Sequence, residues 1–378
     1  MKERILEKDE LESMLVGVGI LGTGGGGDPE GFGKPLVEWD LSKGREYRII
    51  SPEKVKDNAF VVCGGYAGSI KAYTSIGDML QKWEKRYELL EALKITEEIF
   101  KRKVDHAVPF ELGGTNTPVI LSLAARVGIS TIDGDGLGRA APETQMSSFL
   151  GHGISLTPMP FVDKEGNAFI VKYAAKPTYP DEIMRLALDL NGKIGANNHY
   201  PMNGKQLKES VIPNTITFSI KVGDAVINAA KAKKDPVEAF VEVSKGFELF
   251  RGKVKEMKGE DVKAHYIARA ILEGFGSYSG KTMDIIFKNE AMLAKINGKV
   301  VAIFPDLICM MDPPTGRGIM TSNIKTGTEM AVIGVPAHKR LRECLKSKVG
   351  RDSFGSARYG FPEIKYRPIE DLVKELAL

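Results

Sequence analysis

Four ionisable side chains crowd the segment DGDGLGRAAPETQM: Asp133, Asp135, Arg139 and Glu143. Two carboxylates two residues apart, a guanidinium and a third carboxylate can hold a polar substrate and move a proton. The plain alternative is a solvated turn closed by its own salt bridges. A second stretch, GILGTGGGGDPEG, sets Gly24, Gly25, Gly26 and Gly27 in succession before Asp28 and Pro29. Such a backbone permits close approach and leaves N–H groups available to an anionic or polar ligand. It serves equally well as a tight packing site against another loop. Asp28 could cap a short helix with Pro29 in its first turn, although Gly31, Gly33 and Pro35 make that helix a poor one.

The glycine run is not a nucleotide loop of a familiar kind. A Walker loop needs a strand before it and Gly-Lys-Ser/Thr after it, and a dinucleotide turn also needs an entering strand. Here a helical pattern precedes and Asp-Pro follows. Among the histidines, His199 in GANNHYPMNG lies in an expected polar loop beside Asn197 and Asn198, which suits a general base, a ligand contact or a merely structural role. His106 opens a strand and His152 lies between glycines. No HExxH cluster occurs, so no metal and no cofactor are predicted. Cys63 ends a buried-looking strand and reads as an inert core thiol more readily than as a nucleophile.

The elements that must position these groups can be read from periodicity and punctuation. Leu11, Met14, Leu15 and Val18 predict a first helix over about Asp9 to Leu21, so the glycines follow a helix. YRII and AFVVCGG read as strands, with GGYAGS as a loop after Cys63, and Gln81 to Lys103 as one long helix. HAVPFELGGTNTPVILSLAARVGISTIDGDGLGR gives strand, turn, helix, stop, strand, with Thr117 as N-cap, Pro118 in the first turn and Gly128 at the C-cap. Such a unit implies parallel strands joined by a right-handed crossover, which brings Gly113, Gly114 and Asn116 of GGTNT beside the acidic loop at one sheet edge. Asp181 to Lys245 reads as mostly helical, with Asp235 and Pro236 starting one helix. From Phe247 short apolar runs dominate, and Asn297-Gly298 predicts a hairpin. The tail from His338 is expected to hold a short helix, a last strand and a last helix.

The expected class is therefore α/β: a mixed, partly parallel sheet flanked by helices, plus a smaller β-rich second domain. The expected division is 1–245, 246–340 and a tail, 341–378, packing back on the body. At 378 residues and 43% hydrophobic the chain can bury two cores, and a formal net charge of +4 leaves no footprint of a nucleic-acid binder. A small-molecule substrate and a homo-oligomer are expected. Three widely spaced cysteines, a charged amino terminus and the lack of any apolar run of roughly 18 residues point to the cytoplasm and away from membranes.

LGTGGGGDP, DGDGLGRAAPETQM, FRGKV, IIFKNE, PDLICMMDPPTG and MAVIGVPAH resemble, in order and spacing, the S-methyl-thiohydantoin desulfurase family, which is associated with hydantoinase and oxoprolinase enzymes. The resemblance covers nearly the whole chain. It implies an amino-terminal α/β domain, a β-rich carboxyl-terminal domain and hydrolysis at C2 of an S-methylated thiohydantoin, releasing methanethiol. A mechanism consistent with both the residues and the resemblance has a water polarised by Asp133, Asp135 or His199, and ring charge held by the glycine-loop amides, Arg139 and Asn116. Asn289, Glu290 and Asp306 match family motifs, with hydrogen bonding in turns an equal explanation. The alternative is a non-catalytic ligand-binding or assembly partner of a hydantoinase-type enzyme. EGFGKPLVEW departs from the pattern, since family members continue from Asp-Pro into a regular helix.

Overall fold

The computed structural model describes residues 3–68 and 76–376. Its first layer is a mixed eight-stranded sheet. Arg48–Ile50, Ser130–Ile132, His106–Pro109 and Phe60–Gly68 run parallel in that spatial order. Ile194–Asn203, Met159–Asp163 and Ala168–Val171 extend it antiparallel beyond Phe60–Gly68, and Arg4–Ile5 closes the other edge. Asn116–Val127 is the helix between two parallel strands, and it stops at Gly128 in the left-handed conformation. Its start lies ahead of the expected Thr117: Thr115 is the N-cap, and the Thr117 hydroxyl accepts from the Gly113 amide instead.

Three expectations are corrected by long-range pairing. Gly64 to Gly68 form no loop after Cys63, because they pair with Ile194–Asn198 on the neighbouring strand; Ser69 lies outside the described residues. A Cβ on Gly64 would stand 2.5 Å from Nδ2 of Asn198, so the glycine serves close strand packing. The helical reading of Asp181 to Lys245 hides a strand, Ile194–Asn203, which places His199 inside the sheet. The single helix expected from Gln81 to Lys103 is two, Ile76–Trp83 and Glu88–Phe100. Between them the buried Glu88 carboxylate accepts from Trp83 Nε1 at 2.8 Å and Tyr66 OH at 2.9 Å, which favours a break over continued helix.

The segment after Asp28 is helical, contrary to the interruption read in EGFGKPLVEW. The Asp28 carboxylate accepts from Glu30 N, Pro29–Gly33 forms a π-helical turn, and Lys34–Ser42 continues as α-helix.

The second layer is an antiparallel sheet of seven strands, in the order Lys299–Ile303, Glu290–Ile296, Thr282–Lys288, His265–Gly274, Phe247–Val262, Glu329–Val335, Leu307–Met311. Asn297 and Gly298, both at positive φ, turn the hairpin between the first two. The tail packs back as helices Lys339–Cys344, Lys348–Phe354 and Ile369–Glu375, and among the described residues it contains no strand. The buried Asp306 carboxylate takes the amides of Ala337 and Ile369 together with Arg342, occupying groups that a strand would pair elsewhere. Ile369 and Val373 then fill the core of the antiparallel sheet. No helix among the described residues is long and apolar enough to cross a membrane.

Candidate active site

The strand His106–Pro109 runs out of the parallel sheet into Phe110, Glu111 and then Gly113-Gly114. At that edge a cavity of about 50 Å³ opens between the two sheets. Glu111 and Asn116 line it from the strand end and helix start, Asn197 and His199 from the adjacent antiparallel strand, Gly26 and Gly27 from the glycine run, and Asn289 and Glu290 from the second sheet.

The glycine run packs and lines the cavity at once. Gly26 O accepts from the amides of Thr115 and Asn116 at 2.9 and 3.2 Å. A Cβ on Gly26 would lie 2.7 Å from Cα of Gly113, one on Gly27 would overlap the Thr115 side chain, and one on Gly25 would overlap the Glu290 carboxyl. The bare backbone is what lets GGTNT and Glu290 approach from opposite sides.

Three non-glycine residues at positive φ flank the site: Thr23, Tyr200 and Asn289. Each conformation costs energy that the surrounding contacts must hold in place. Asn289 exchanges two 2.8 Å bonds with the Tyr266 backbone, which delivers Glu290 inward. Tyr200 lies at a register shift opposite Val61 and Cys63, and its hydroxyl donates to Thr144 O at 2.8 Å. That bulge leaves His199 on the cavity wall, its ring 5.3 Å edge-on from Phe110.

The titratable groups here are buried. His199 is driven down to about 3 by burial, so its imidazole is neutral across the physiological range, and neither ring nitrogen has a partner among the described residues. Glu111 is raised well above the carboxylate range by burial and by the neighbouring Glu290 carboxyl. Glu290 rises to about 7 through burial, with the Arg139 cation pulling it back. Two such carboxyls titrate as a pair that keeps one proton near neutrality. Glu111 is fixed by Asn116 Nδ2 at 2.6 Å and Ala141 N at 2.7 Å, and Asn116 Oδ1 in turn accepts from Tyr66 N. Oε2 of Glu290 and Oδ1 of Asn197 are buried without a partner among the described residues. Unpaired polar atoms converging on one cavity mark a place for a polar ligand.

The residues expected to do chemistry divide in two. His199, Asn116, Gly26 and Gly27 reach the cavity wall. Asp133 and Asp135 do not, because backbone amides claim them. Asp133 accepts from Thr217 N at 3.0 Å and Thr217 Oγ1 at 2.6 Å at the start of helix Thr215–Lys231, and Asp135 accepts from the amides of Leu137 and Gly138. Arg139 is fully buried and donates to Ala140 O, Asp306 O, Thr23 Oγ1 and Ala291 O, so its donors serve the protein. Glu143 is bound by Lys288 and Arg358. Asp28 is an exposed cap, Gly24 packs on Thr321 and Met310, Gly25 packs on Glu290, and Gly113 and Gly114 back the glycine run. Cys63 is a buried thiol pushed up by burial. Glu111 escaped notice although an acidic residue ending a parallel strand before two glycines is a readable signal.

Models of S-Me-THD-like proteins match the chain in two parts, the N-terminal domain over residues 9–173 and the C-terminal domain over residues 175–369. No curated protein matches it. Its fold is similar to the X-ray crystal structure of a protein from Chromobacterium violaceum, with a TM-score of 0.74 and 20% identity, covering 97% of this chain and 100% of that one. With both domains matched in order along nearly its whole length, the chain belongs to the S-methyl-thiohydantoin desulfurase family.

Proposed function

We propose that this protein is a hydrolase of an S-methylated thiohydantoin or closely related cyclic amide. One observation carries the reading: two buried carboxyls, Glu111 and Glu290, share a cavity with a neutral His199 that has no hydrogen-bond partner among the described residues. A planar ring with alternating N–H and carbonyl groups matches walls made of acceptors, an imidazole and amide side chains. Water adds to C2 of the ring; the ionised member of the carboxyl pair takes its proton while the protonated member hands one to the ring nitrogen. The C2–S bond of the resulting tetrahedral centre then breaks as the C2 hydroxyl returns its proton to the carboxyl that protonated the ring, the proton on the base goes to the departing methylthiolate, and methanethiol and a C2 carbonyl are left with the carboxyl pair restored. Asn116 and Asn197 orient the ring, and His199 bonds it or the water as a neutral donor and acceptor.

The base assigned here is the carboxyl pair in place of Asp133 or Asp135, whose oxygens are held by backbone amides and the Thr217 hydroxyl. The test is release of methanethiol from S-methylthiohydantoin by the purified chain. Turnover that Glu111→Gln and Glu290→Gln each lower by roughly 10²–10⁴-fold supports the reading. Binding of the ring with no turnover makes the protein a ligand-binding partner instead.

A further inference from the structure

A second and larger cavity, about 520 Å³, lies against the first. Arg185 belongs to the walls of both. Sequence neighbours divide between the two cavities: Pro142 and Thr144 face the first and Glu143 the second, and Asn289 faces the first and Lys288 the second. The first cavity has space on the order of a few water molecules. A ring seated there has no room for a large substituent on the same side of the partition, whereas the second falls in the size range of a ligand site.

The chemistry of the second cavity differs from that of the first. Glu143 is taken by Lys288 and Arg358, and Asp181 holds Nε of Arg185 at 2.7 Å. Those charges satisfy one another. The exposed part of the lining sets Leu186, Val262 and Ile267, at 62%, 41% and 37%, beside the charged Glu182 and Lys263, and Phe287 is buried. Apolar side chains left in water at the mouth of a cavity gain from being covered by an apolar group.

We infer that the second cavity is a specificity subsite for a substituent on the ring bound in the first, and that it takes an apolar group of aryl size. This rests on the functional reading above, because it assumes that a hydantoin-type ring occupies the first cavity. Arg185 is the positioning residue at the boundary, held by Asp181, by Ala264 O at 2.8 Å and by Pro142 O.

The experiment measures binding of two unreactive probes, hydantoin and 5-benzylhydantoin, to the full chain by calorimetry, alongside turnover of their S-methylthio counterparts. The benzyl probe binds at least about tenfold more tightly than hydantoin, as burial of an aryl group in an apolar cavity requires. Leu186→Trp and Ile267→Trp, two exposed positions whose enlargement fills the cavity mouth, each reduce that preference by about tenfold. Equal affinity for the two probes overturns the subsite and leaves the ring reading standing. So does a benzyl preference that both variants leave intact, or a Leu186→Trp change in sedimentation mass without a change in preference. Binding of neither probe overturns the functional reading, and the subsite with it.

Discussion

Gly25 and Glu290 compete for the same space: a Cβ on Gly25 would overlap the Glu290 carboxyl. The glycine is thus a condition for the carboxyl's position. Gly25→Ala is expected to displace Glu290 and lower turnover more than stability. Gly44→Ala is the reference, since a Cβ there meets nothing within 4 Å and affects only a positive-φ turn. Turnover of Gly25→Ala close to that of the reference would show that Glu290 need not sit where it does.

The carboxyl pair sets a pH dependence of rate. With Glu290 raised to about 7 beside a Glu111 raised well above the carboxylate range, the pair passes from two protons to one as pH rises through that value, which creates the ionised base, and the rate is expected to rise across it. His199, at about 3, contributes nothing to that limb. A pH–rate profile checks this: Glu290→Gln removes the limb near 7, whereas a limb that survives the substitution belongs to another group.

Stability follows the same proton with a definite sign. The folded chain holds a proton on Glu290 that the unfolded chain releases at its ordinary 4.5, so the contribution is complete below 4.5 and is lost as pH rises through about 7. The size is on the order of 3 kcal/mol. Melting temperature is expected to decline across that interval in the parent and less in Glu290→Gln; parallel curves would contradict it.

Asp133 and Asp135 are tied to amides, so their loss is structural. Asp133→Asn and Asp135→Asn are expected to cost roughly 1–2 kcal/mol each and to spare kcat. Thermal melting and initial rates on the same samples separate the two effects. A fall in kcat by more than tenfold at unchanged melting temperature would return the acidic loop to the chemistry.

Arg139 is a cation kept by geometry. Burial lowers it only to about 10, so it stays charged near neutral pH, 4.8 Å from the Phe304 ring centroid. Arg139→Lys keeps the charge but cannot span the four oxygens, and a loss of about 3 kcal/mol is expected. Denaturant unfolding measures it; a loss within 0.5 kcal/mol, in the ordinary surface range, would mean the four bonds carry little.

Elements with local punctuation were legible in the sequence. The helix ending at Leu21, the strand, helix and strand from His106 to Ile132, the Asp235 cap and the Asn297-Gly298 hairpin each announce themselves within a few residues. The strand Ile194–Asn203 does not, because its Gly195, Asn197, Asn198 and His199 break the apolar alternation that marks a strand, and those polar groups are the ones turned towards the cavity or its neighbours. For the same reason His199 read as a loop residue. Glu111 and Glu290 lie 179 positions apart in the chain, and only the packing of the two sheets brings both to one cavity.

The four acceptors of Arg139 come from the end of the first helix, the acidic loop, the Glu290 strand and the turn before Leu307. One guanidinium thus braces the pieces of both sheets that enclose the cavity. Such a brace predicts walls that stay together while a ligand enters: the ligand's observed association rate is expected to rise in proportion to its concentration, without the plateau that a gating step imposes.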